Sequence, residues 1–146
     1  MKYIILVVLS LAVLKGCSNK DRNIMDITEI KYTASTRGYF YQVMAMPTML
    51  QINMDRTSES GQVYAIEIEE WDVLLGLIED IELKKLDNMD TATSWQEVDR
   101  APMAGLVVKT MEKKFVSPNF DHGNPPDEIR PLVKALLELA ERTIEK

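Results

Sequence analysis

Residues 120–131 read FDHGNPPDEIRP and carry the chain's only histidine, His122. An imidazole beside a carboxylate is the pattern of an oriented general base. Asp121 or Asp99 could play that carboxylate, and Arg100 stands next to Asp99 in DRAP. A hydrolase built on these residues also needs a nucleophile. No serine or cysteine sits in a recognisable motif, and GxSxG is absent. A metal centre is no better supplied. His122 with Asp99, Asp121 and Asp127 lacks calcium-loop spacing, so no metal and no other cofactor is expected.

The alternative for this segment is architectural, and it outweighs the catalytic one. Pro125, Pro126 and Asp127 stand where a helix should begin, and a proline costs no hydrogen bond in a first turn. Asn124 or Asp127 is expected to cap the free N–H groups. Gly123 is expected at positive φ, and His122 becomes a hydrogen-bonding strut. Four methionines, Met44, Met46, Met49 and Met54, raise soft-metal binding, but near strands such residues are expected to fill core. Trp71 is expected in the core and Trp95 as a loop anchor.

The elements that must position this loop follow from periodicity. Residues 24–35 alternate, with Ile24, Asp26, Thr28, Ile30 and Tyr32 on one side and Met25, Ile27, Glu29 and Lys31 on the other. TRG at 36–38 is a turn signal. GYFYQVMAM is apolar at both parities and predicts an inner strand. TMLQINMD alternates through Leu50, Ile52 and Met54, and VYAIEI is a short strand or the lead into a helix. The spacing of Trp71, Leu74, Leu75 and Ile78 predicts a helix over 69–81. A long polar connection spans 84–102, with one helical turn expected at SWQEVD, Ser94 as its cap and Glu97 three residues on. MAGLVVKTM and FVS, joined by EKK, predict a hairpin. A last helix is predicted over 127–145, with Ile129, Leu132, Val133, Leu136, Leu139 or Ala140, and Thr143 or Ile144 on its buried side. The fold class is therefore α+β: an antiparallel sheet of five to six strands with two main helices on one face.

At the N-terminus, Lys2 precedes an apolar run from Ile4 to Leu14. About eleven residues suit a signal h-region, whereas a bilayer span needs about 20. The run ends in LKGC, and Cys17 is the only cysteine. This ending resembles a bacterial lipobox, in which the cysteine thiol is acylated and a peptidase cuts before it. Lys15 departs from the usual small or apolar residue. The resemblance implies a signal peptide at 1–16, a lipid-anchored leash at 17–23 and a single domain at 24–146. The partner so implied is a membrane, reached through acyl chains such as palmitate on Cys17, at about 0.8 kcal/mol per buried methylene. Loss of residues 1–16 removes two lysines, takes the net charge from −6 to −8 and leaves 130 of 146 residues. That acidity argues against nucleic acid.

TRG at 36–38, Trp71 opening a helix, DRAP at 99–102 and FDHGNPP at 120–126 together resemble a family of small lipoproteins of Bacteroidetes. The resemblance covers most of the chain after Cys17 and implies a lipid-anchored cell-envelope protein, on the outer membrane by the absence of an aspartate at Ser18. It carries no catalytic residues. The expected function is a binding or structural module without catalytic activity, with an envelope protein as a further partner. The alternatives are an inhibitor-like domain acting through its sheet, or a hydrolase using Asp99, Asp121 and His122.

Overall fold

The computed structural model of the chain describes residues 27–58, 60–91 and 101–146. In chain order the elements are β1 (Ile27–Thr36), β2 (Tyr39–Met46), β3 (Met49–Asn53), β4 (Gln62–Ala65), α1 (Ile68–Glu79), a 3₁₀ helix (Leu83–Asn88), β5 (Met103–Thr110), β6 (Lys114–Val116), β7 (Phe120–Asp121) and α2 (Arg130–Ile144). The strands form one antiparallel sheet in the order β4-β3-β2-β1-β5-β6, and β7 pairs with β5 beyond the end of β6. An α+β layout with two main helices is therefore present. The seventh strand is the two-residue β7, too short to leave a periodic signal.

The inner face follows from the register. Tyr32 sits between Val43 and Leu106, and Ala45, Ile30 and Val108 form the next row. These side chains are buried, and α1 and α2 close over them with Trp71, Leu74, Ile78, Leu132, Leu136 and Leu139. Apolar burial at about 25 cal/mol per Å² makes this two-layer contact the main source of cohesion. Helix α1 opens with Glu67 donating its backbone N–H to the Glu70 carboxylate at 3.1 Å. Leu75 is only half-buried, because it lies at the flank of the Trp71–Leu74–Ile78 stripe.

The first strand's alternation needs correction. A register shift between Ile27 and Glu29 changes the parity, so Ile27 joins Ile30 and Tyr32 on the buried side. Residues 24–26 lie outside the described residues. The methionines are a second correction. Met44 and Met46 project from the open face of β2, Met49 lies opposite Met46, and Met54 is 61% exposed past the end of β3. They do not fill the core, because Val43, Ala45, Leu50 and Ile52 hold the inward parity. On that open face the row Val63, Gln51, Met44, Lys31, Val107, Val116 mixes apolar and polar side chains. That row is not continuously apolar, although Val63, Met49 and Val116 are exposed on this face.

Gly61 is required by close approach: a Cβ there would lie 2.3 Å from the Ile52 carbonyl oxygen. Buried Ser117 joins β6 to the chain entering β7. Its hydroxyl accepts from Leu106 N–H and donates to the Pro118 carbonyl, both at 2.9 Å. That leaves its polar atoms satisfied.

Candidate functional site

Two of the sequence signals meet at one end of the sheet. The TRG turn joins β1 to β2, and the FDHGNPP loop runs along the end of β5 before α2. The loop is held by backbone pairing. Asp121 lies opposite Met103, and His122 N–H donates to the Pro102 carbonyl at 2.8 Å. Asn124 N–H then closes a turn on the Asp121 carbonyl at 2.9 Å, with Gly123 at φ +87° in its third position. Only glycine takes that conformation without strain, as expected from the sequence.

The helix start differs from the expectation. Asp127 does not cap α2, and neither does Asn124. Helix α2 begins at Arg130 with Ile129 at the cap position and no side-chain cap, and Pro131 occupies its first turn. Ile129 and Arg130 N–H both donate to the Pro126 carbonyl. Asp127 instead accepts from Arg130 Nε at 3.1 Å, an exposed pair of small energetic weight. The prolines end the loop rather than open the helix, and both are buried.

His122 has a partner that sequence reasoning missed. The Tyr32 hydroxyl and His122 Nδ1 lie 2.6 Å apart, across 90 residues of sequence. Tyr32 is fully buried beside Phe120, and burial holds its phenol far above the ordinary tyrosine range. Burial also lowers the imidazole's pKa. A neutral imidazole and a neutral phenol satisfy each other when Tyr32 O–H donates to Nδ1. The remaining ring proton then sits on Nε2, on the edge turned away from Tyr32. Long-range pairing of this kind leaves no local pattern. A buried tyrosine's need for a partner was the only available clue.

On its other side His122 faces Tyr39, with ring centroids 5.9 Å apart and planes at 50°. Tyr39, Tyr41, His122, Leu137, Glu141 and Ile144 are among the residues that line a groove of about 530 Å³. Leu137, Glu141 and Ile144 recur at i, i+4 and i+7, so one flank of α2 makes a wall. Strand β2 makes the other through its inward parity at Tyr39 and Tyr41. The Tyr41 phenol is pushed up by burial first and by the Glu141 carboxylate second. Arg56 sits over the Phe40 ring at 5.9 Å and donates to the Thr36 carbonyl at 2.9 Å.

Of the loop residues singled out from sequence, Asp121 and His122 stand together here. Asp99 and Arg100 lie outside the described residues, as do Cys17, Ser94, Trp95 and Glu97. Among the described residues no three histidine, cysteine or acidic side chains gather as a metal site would require. No helix among them is long and apolar enough to cross a membrane. Compared with known proteins, the chain matches no family model and no curated protein.

Proposed function

We propose that this chain is a lipid-anchored module of the bacterial cell envelope that binds a ligand at its hairpin end and carries out no chemistry itself. The N-terminal sequence carries the tether: an apolar run of h-region length ending in LKGC, with Cys17 as the lipidated residue. Membership of the Bacteroidetes lipoprotein family, and placement on the outer membrane, belong to the same reading. The binding role is supported by the convergence of the TRG turn and the FDHGNPP loop on one groove. Its walls hold aromatic rings and one carboxylate, the few polar groups amid apolar surface typical of ligand sites. His122 is spent on Tyr32, which suits a fixed hydrogen-bonding edge better than a shuttling base.

Metabolic labelling with an alkyne fatty acid tests the tether. Wild-type chain is expected to take up label and fractionate with membranes. Cys17→Ala is expected to remain uncut and unlabelled. Undiminished labelling of Cys17→Ala contradicts the assignment.

A further inference from the structure

We infer that the groove at the hairpin end is a site for a small organic cation: a quaternary or tertiary ammonium group on a short apolar body that carries an oxygen acceptor. The inference rests on the binding role proposed above and is independent of the tether.

The sign of the site comes from α2. Its last turn ends at Ile144 and points the negative end of the helix dipole toward this region. The cation that suits a last turn, Arg142, reaches back to the Glu138 carbonyl at 3.4 Å, while the flank that lines the groove presents Glu141. On that flank Glu141 adds its charge to the negative end of the dipole, which favours a cation in the groove. Among the described residues no lysine or arginine lines the groove. Arg56 is engaged by the Phe40 ring and the Thr36 carbonyl. It shows that an aromatic face at this end of the sheet already holds a positive charge.

The shape of the ligand comes from the rings. Tyr39 is 40% exposed and Ile144 44%, so both offer apolar surface to an occupant. Tyr39 and Tyr41 line the groove with aromatic rings, whose negative quadrupoles attract an ammonium group, and Glu141 adds a full charge. The Nε2–H edge of His122, left over when Nδ1 accepts from Tyr32, supplies one donor for an ether, ester or hydroxyl oxygen. An anion would meet Glu141 and the helix terminus. A wholly apolar guest would strip water from the carboxylate and from Nε2–H without replacing its hydrogen bonds.

The test titrates the full-length chain, in mild detergent, with choline and with its neutral isostere 3,3-dimethylbutan-1-ol. The His122 ring signals are followed by NMR. Choline is expected to shift those signals saturably and to bind at least about tenfold more tightly than the isostere. Glu141→Gln and Tyr39→Ala are each expected to weaken choline by about fivefold or more, whereas Glu138→Gln, on the solvent face, leaves it unchanged. Equal affinity for the two probes overturns the inference, as does choline binding indifferent to both groove substitutions. Binding of neither probe overturns it too, while fatty-acid labelling at Cys17 continues to judge the tether separately.

Discussion

The middle of the sheet and its β1–β2 hairpin end place the same kind of ring against His122 under opposite conditions. Tyr32, in the middle, is fully buried, touches Phe120 and gives its hydroxyl to Nδ1. Tyr39, seven residues on, approaches the same imidazole at 5.9 Å but is 40% exposed. One contact fixes the loop; the other faces a groove. The difference shows that a single residue serves architecture on one edge and presents a surface on the other. Helix α2 repeats the division: Leu132, Leu136 and Leu139 close the core, while Leu137, Glu141 and Ile144 wall the groove.

The largest effect should come from the closed region. Leu136 is fully buried near the middle of the α2 stripe, where the helix cannot fray from the sheet. Leu136→Ala is expected to leave a cavity costing about 2–5 kcal/mol and to lower Tm by well over about 5 °C in a thermal melt. Glu138, exposed and paired with Lys134 at 3.7 Å, is expected to tolerate alanine within about 0.5 kcal/mol. Similar losses at both positions would erase the distinction between the two sides of α2.

That stripe was legible in the sequence, as were the successive strands along the chain up to β6, the β5–β6 hairpin and the positive φ of Gly123. All of these leave local patterns: 3.6-residue spacing, alternation, and a turn residue with no Cβ. What was not legible is long-range or set by competition. The shift between Ile27 and Glu29 changes the parity of β1 without any glycine to mark it. The methionines looked like core because GYFYQVMAM is apolar at both parities, and only the pairing with Ser35, Thr33 and Lys31 decides which parity faces out. The cap expected from Asp127 lost to the Pro126 carbonyl, with Arg130 taking the carboxylate. Tyr32 carried no sign of His122, because the two meet only when β1, β5 and β7 align.

A smaller effect is expected from pH. The folded pKa of His122 lies below its unfolded value of about 6.5, so below that pH the unfolded chain binds the extra proton. This contribution is fully present above about pH 6.5 and is lost as pH falls toward the folded value. Tyr32 works at the opposite limit. Its folded pKa is raised, so the unfolded chain ionises first, and stability falls as pH rises above about 10. Urea midpoints measured across pH should show both limbs. His122→Ala should flatten the step near pH 6.5, and Tyr32→Phe should flatten the alkaline fall. An alkaline limb unchanged in Tyr32→Phe would mean that the phenol is not held by burial as described.

The division of His122 between a buried strut and an exposed surface is tested most directly by paired double-mutant cycles, measured by chemical denaturation. One combines Tyr32→Phe with His122→Ala, and the other combines Tyr39→Ala with His122→Ala. The buried hydrogen bond predicts a coupling of about 1–2 kcal/mol in the first cycle, and the water-exposed ring contact predicts less than about 0.5 kcal/mol in the second. Equal couplings, or a larger one at Tyr39, would contradict the account.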